Sequence, residues 1–341
     1  MHALSQILIN WYENHQRNLP WRHTKDPYQI WLSEVILQQT RVDQGLPYYN
    51  KFVSSFPSIH ALANASEQEV LSLWQGLGYY SRGRNLHATA QIISRAYQGK
   101  FPESYQGLLQ LKGIGPYTAA AIASFAFDLP HAVVDGNVYR VLSRYFGIDL
   151  AINSTAGKKA FEKIAEEILD PKQAAQHNQA MMEFGALQCK PVSPNCGVCP
   201  LNTSCAAFSE GKVQVLPVKE KKVKVKARFF VYHVEQDQQG RLAFERRGAG
   251  DIWEGLYEFP LVELDTEEAQ SAYLERFTSV WRSAPFKHIL THQRIKAFFI
   301  RAPFESKAKE LNYYPFEEIS SLPLPRLIDK FLEQHREDLT K

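Results

Sequence analysis

All four cysteines of this 341-residue chain fall between Cys189 and Cys205. The order is Cys189, six residues, Cys196, two residues, Cys199, five residues, Cys205. A secreted disulfide scaffold spreads its cysteines to staple distant segments. Four thiols inside 17 residues ask instead for a cation that several thiolates can share. Local disulfides or four unrelated thiols are the bland alternative. Zinc and an iron–sulfur cluster both accept four cysteines, so spacing alone leaves the two level.

The length is about twice that of a usual single domain, which points to two domains. Lys plus Arg is 39 against 36 for Asp plus Glu, a net charge of +3. Any nucleic-acid surface must therefore be local. With 45% hydrophobic and 22% charged residues the chain has a folded, globular composition. The uncharged run Gly113–Phe127 is too short to span a bilayer, and residues 1–20 lack the basic start and cleavage site of a secretory leader. The expectation is a soluble, intracellular protein with no membrane partner.

Residues 1 to about 210 read as helical. Val138, Val141, Leu142, Tyr145 and Phe146, then Phe161, Ile164 and Ile168, recur at helical spacing, and breaks such as Pro20, Pro57 and Pro130 separate the segments. Gly211 to Arg228 holds seven basic residues against one Glu, which suits a basic linker leading into a strand. Beyond it Phe229–Val234, Leu242–Arg246 and Ile295–Ile300 look like strands. Asp265–Phe277 looks like a helix capped by Asp265 and Glu268, and Leu327–Leu332 like a last helix. The second domain is a smaller α+β unit.

Leu111-Lys112-Gly113-Ile114-Gly115-Pro116 sits between two helical patterns. Gly113 and Gly115 permit a tight turn, and Pro116 suits the first turn of a helix. Such a corner leaves free N–H groups at a helix start, a ready anion site. An ordinary helix–helix corner would read the same way.

The Gly-x-Gly corner, the run Val134-Asp135-Gly136-Asn137-Val138 and the closing four-cysteine cluster together resemble the helix-hairpin-helix DNA glycosylase superfamily, in the iron–sulfur branch shared with endonuclease III. The resemblance implies a [4Fe–4S] cluster on Cys189, Cys196, Cys199 and Cys205. It implies an all-α six-helix barrel module over about 20–127 and a cluster module over 1–19 with 128–210. A basic linker over 211–226 and a Nudix-like domain over 227–341 follow. The run Trp31-Leu32-Ser33-Glu34-Val35-Ile36-Leu37-Gln38-Gln39-Thr40 looks like that of adenine DNA glycosylases of the MutY type. Endonuclease III-like enzymes carry a Schiff-base lysine two residues after the second hairpin glycine, where this chain has Tyr117. A bifunctional lyase on oxidised pyrimidines and a non-catalytic DNA-binding module are the rival readings.

Cleaving an N-glycosidic bond requires protonation of the leaving purine and stabilisation of an oxocarbenium-like sugar, two tasks for two carboxylates in different environments. Glu34 stands among apolar residues, where desolvation raises a carboxyl toward a useful acid. The resemblance makes it the group that protonates adenine N7 and later helps activate water. Asp135 would be a good N-cap, and by resemblance also faces the anomeric carbon. Asn137 resembles the residue that orients Asp135, and Tyr117 the tyrosine beside the acid. The target base must leave the stack. Gln39, Thr40 and Tyr79 resemble duplex-contacting positions, with Gln39 and Tyr79 as wedges, and Arg17, Trp21 and Leu37 fall where the family lines its adenine pocket.

In the second domain Gly248 and Glu254 fit the opening of the Nudix hydrolase signature, but Phe259-Pro260-Leu261-Val262-Glu263 does not continue its glutamate-rich helix. Lesion reading rather than pyrophosphate hydrolysis is expected. Leu290-Thr291-His292 stands where the family's Phe-Ser-His loop meets 8-oxoguanine, so Thr291 keeps a hydroxyl while the aromatic face is lost. The implied partner is double-stranded DNA with adenine opposite 8-oxoguanine or guanine. A monomer working in the bacterial cytoplasm with the nucleoid is expected. The basic linker predicts salt-dependent DNA affinity; no motif marks a replication-clamp contact.

Overall fold

The computed structural model describes residues 2–220, 225–304 and 311–340, so residues 221–224 of the linker lie outside the described residues. Contacts divide the chain into two compact units, Met1–Asn64 with Asn85–Lys221 and Ala65–Arg84 with Lys222–Lys341. The sequence reading puts residues 65–84 in the helical barrel, whereas here they cluster with the C-terminal strands. Within that second unit Ser72 Oγ donates to Ser321 O at 2.8 Å and Tyr80 Oη to Leu324 O at 3.1 Å, contacts that sequence proximity cannot reveal.

Helices α1 (Ala3–His15), α2 (Pro27–Ile36), α3 (Val42–Ser55) and α4 (Ile59–Asn64) lead to α5 (Glu67–Trp74) and α6 (Tyr80–Ala96). Then come α7 (Tyr105–Leu109), α8 (Pro116–Phe127), α9 (Gly136–Phe146), α10 (Thr155–Ile168), α11 (Ala174–Leu187) and α12 (Ala206–Ser209). Asp26 caps α2 by accepting from Tyr28 N, with Pro27 as first helical residue. From Ile30 to Ile36 every residue of α2 is buried, because α3 and the small-residue face of α8 pack against it. A second core joins Leu4 and Leu8 of α1, Val141 of α9, Phe161 of α10 and Phe184 of α11, with Cys189 and Cys199 packed against it. The described first part of the linker is bound to this unit: Ile152 N donates to Val218 O at 3.0 Å, and Leu216 is buried.

The second unit holds strands β1 (Lys226–His233), β2 (Leu242–Arg246), β3 (Tyr257–Glu258), β4 (Leu261–Leu264), β5 (Phe286–Ile289), β6 (Gln293–Ile300) and β7 (Asn312–Tyr314). One sheet runs β4-β1-β6-β5, with β1 and β6 parallel and Phe230 opposite Ala297; the other runs β3-β2-β7. Helices α13 (Glu267–Glu275), α14 (Phe316–Ile319), α15 (Arg326–Gln334) and α16 (Arg336–Leu339) follow in the same unit. Phe299 and Phe331 stack at 3.8 Å in its core. The cap of α13 differs from expectation: Thr266, not Asp265, accepts from Ala269 N at 3.2 Å. The cap and the donor it satisfies both lie one residue later than expected.

Candidate active site

Glu34 lies on the last turn of α2 and is 6% exposed. Tyr117, in the first turn of α8, donates its phenol to Glu34 Oε2 at 2.5 Å. Burial pushes the Glu34 carboxyl up to about 7; the Tyr117 hydrogen bond opposes that shift, the charge of Asp135 adds to it, and Arg22 opposes it. Burial, reinforced by Glu34 and Asp135, holds the Tyr117 phenol well above its ordinary value, so it remains a donor.

Asp135 is the N-cap of α9. Its Oδ1 accepts from Asn137 N and Val138 N, both at 2.8 Å, and its Oδ2 from Asn137 Nδ2 at 2.7 Å. Burial raises this carboxyl as well, while the three hydrogen bonds and Arg140 hold it down. Arg140, 9% exposed, donates from Nη2 to Asn137 Oδ1 at 2.8 Å and to Gly185 O at 2.6 Å, and from Nε to Cys189 O at 2.7 Å. The carboxylate, its orienting amide and the first cysteine are thus joined through one guanidinium.

A cavity has Glu34 in its wall with Trp21, Arg22, Ile30, Gln179 and Met182. Gln179 Oε1 accepts from Tyr12 Oη at 2.6 Å. Arg17 and Leu37 do not line it. Arg17 and Arg22 both grip Glu183, which is 1% exposed and held down to about 2: burial opposes the shift, and the hydrogen bonds from the two arginines outweigh it. Leu37 caps α2 and fills the space beside Gly45, where an added Cβ would lie 2.6 Å from its Cδ2. Arg22, Gln179 and Met182 are absent from the sequence reading. Their only signal is position: Gln179 lies one turn before Glu183 on α11 and shares its face.

Gln39 is exposed with φ 56°, and Tyr79 is 47% exposed with φ 47°. Non-glycine residues in this left-handed region store strain of about 1–3 kcal/mol each. Thr40 Oγ1 bonds to Gln38 O at 3.3 Å. In the hairpin Gly113 adopts φ 75°, and an added Cβ would meet Asn85 Cβ at 2.8 Å, so glycine is required there. Gly115 caps α8 in extended conformation.

The four cysteines are unpaired and line one cavity with Phe184 and Leu201. Arg144, 3% exposed, donates to Cys189 Sγ at 3.5 Å and Lys190 O at 2.7 Å. Burial pushes the Cys199 thiol up to about 11 and raises Cys196 and Cys205. Among the described residues no three His, Cys, Asp or Glu side chains converge as a single metal ion would draw them.

In the second unit Leu290, Thr291 and His292 form the turn between β5 and β6. Tyr79 Oη and Thr291 Oγ1 are hydrogen-bonded at 2.8 Å. Both residues, with His292 and Trp253, line one pocket. Among the described residues no helix is long and apolar enough to cross a membrane.

Residues 32–171 match the HhH-GPD superfamily of base excision DNA repair proteins, and residues 231–334 match the NUDIX domain. The chain is 33% identical over 351 residues to the adenine DNA glycosylase of Buchnera aphidicola subsp. Acyrthosiphon pisum, covering 99% of both proteins. It is 42% identical over 214 residues to the adenine DNA glycosylase of Homo sapiens, covering 60% of this chain and 39% of that protein. The solved structure of a thermostable thymine-DNA glycosylase aligns with TM-score 0.57 and 28% identity over 61% of this chain and 96% of that one.

Proposed function

The chain belongs to the adenine DNA glycosylases, and we propose that Glu34 is its general acid and Asp135 the carboxylate that stabilises the sugar cation. It is a hydrolase of base excision repair that cleaves the N-glycosidic bond of adenine in DNA. The observation that carries the residue assignment is the buried Glu34, raised to about 7 and bonded to Tyr117, near an Asp135 that is fixed by three hydrogen bonds.

The flipped adenine enters the cavity at Glu34. The Gln179 carbonyl is taken by Tyr12, so its amide N–H groups are left to donate to a ring nitrogen of the base. Protonated Glu34 gives its proton to N7, the C1′–N9 bond breaks with its electron pair going to the base, and neutral adenine leaves. Asp135 lies against the resulting cation. Water then adds to C1′ and returns its proton to Glu34, leaving an abasic site. Tyr117 offers no primary amine, so no Schiff base forms at that position and strand cleavage is not part of the reaction.

Gln39 and Tyr79 are the wedges: both are exposed and both stand on left-handed backbone. Thr291 and His292 read the base opposite, 8-oxoguanine or guanine, with Thr291 as hydrogen-bonding group. The four thiols around one cavity, with Arg144 against Cys189, fit a [4Fe–4S] cluster. Bound there, it would neutralise the thiolates and cross-link residues 189–205. The division into modules at 20–127, 1–19 with 128–210, and 227–341, action as a monomer, and work on DNA in the bacterial cytoplasm belong to the same reading.

Single-turnover assays on duplexes holding adenine opposite 8-oxoguanine, adenine opposite guanine, and thymine glycol opposite adenine test it. Adenine loss that becomes a strand break only after alkali, and disappears in Glu34→Gln and Asp135→Asn, is expected. Breaks without alkali on thymine glycol would overturn it.

A further inference from the structure

A groove is lined by Tyr117, the partner of Glu34, and by Val134, which precedes Asp135. One wall is α10, whose Lys158, Lys159, Glu162, Lys163 and Glu166 face it. Of the two acids, Glu166 Oε1 accepts from Ala132 N at 2.9 Å, and the exposed Glu162 stands near the phenols of Tyr105 and Tyr139, which burial raises first and Glu162 raises further. Lys158 and Lys159 are exposed, and neither side chain has an ion pair or hydrogen bond among the described residues. They stand in the first turns of α10, after the Ser154 cap, where the positive end of the helix adds to their charge. That end of the groove is cationic, and it is continuous with the wall that carries the catalytic phenol.

We propose that Lys158 and Lys159 grip the phosphodiester backbone of the DNA strand that carries the target adenine. Glu166 fastens α10 to the segment 132–134 that leads into Asp135, so the backbone grip and the catalytic carboxylate share one frame. A strand held there is positioned relative to Asp135 before the base is released. This places a contact for DNA on α10, outside the hairpin and outside the adenine cavity, and it rests on the assignment of Asp135 made above.

The test compares the full-length protein with Lys158→Ala/Lys159→Ala and Lys158→Arg/Lys159→Arg. The probe is a duplex whose target adenosine carries a 2′-fluorine, which destabilises the sugar cation and prevents turnover. Affinity is measured against salt concentration, and the single-turnover rate at saturating enzyme is measured on the unmodified duplex. The alanine pair should flatten the slope of log K against log salt by about 0.9 for each phosphate that is no longer neutralised. The arginine pair should keep the slope, and the saturated rate should stay within about twofold in both. An unchanged slope in the alanine pair would overturn the proposal, as would an equally flattened slope in both pairs. A reduced saturated rate with the slope intact would do the same, by assigning the lysines to the fold of α10. If the parent protein released no adenine, the carboxylate assignment would fail while the slope comparison still decided this one.

Discussion

Burial raises the Glu34 carboxyl to about 7, a value suited to catalysis and costly for stability. The folded protein keeps a proton that the unfolded chain releases above its ordinary value of 4.5. Stability contributed by this group is therefore full below 4.5 and is lost as pH rises through about 7, on the order of 3 kcal/mol in all. Glu34→Gln should lower adenine release by about 10²–10⁴-fold while raising the melting temperature above pH 7 more than below pH 5, as calorimetry would show. Tyr117→Phe removes a hydrogen bond that lowers the Glu34 carboxyl, so the alkaline limb of its pH–rate profile should move to higher pH; a shift to lower pH would count against the pairing. The burial of Glu34 and the cap made by Asp135 were legible, the first from its apolar neighbours and the second from its place before the periodic run of α9. The pairing of Arg17 was not legible because its partner Glu183 lies 166 positions away, and no local spacing announces a salt bridge of that reach.

At the scale of elements, α9 combines a cap with a charge. Asn is as good an N-cap as Asp, so Asp135→Asn should keep the helix and hold stability within about 1 kcal/mol while abolishing adenine release. Arg140 is a harder test of the connection between α9 and the cysteine segment. Arg140→Leu leaves the Asn137, Gly185 and Cys189 carbonyls without this donor, at about 1–3 kcal/mol for each one left unsatisfied. Iron content and adenine release should fall together in that variant; full activity with intact iron would break the link. Helices α2, α8 and α9 were readable because apolar periodicity coincided with Pro or Asp at their starts. The cap of α13 slipped by one residue because Asp265 and Thr266 are both good caps, and only packing decides between them.

Across the whole molecule, length and apolar periodicity pointed to a helical part and an α+β part, but not to where residues 65–84 would pack. Their hydrogen bonds run to positions 321 and 324, a separation that no sequence pattern encodes. The four thiols lining one cavity predict that Cys199→Ala loses bound iron and sulfide and melts at lower temperature, with the visible spectrum as readout. The assignment of the general acid is tested most directly by the single-turnover rate of adenine release as a function of pH, for the parent protein and Glu34→Gln, on a duplex holding adenine opposite 8-oxoguanine. The parent rate should fall as pH rises through about 7, where Glu34 loses its proton, and the variant should stay far below the parent rate at every pH. A parent rate that stays flat through 7, or a variant that still releases adenine at the parent rate, would contradict it.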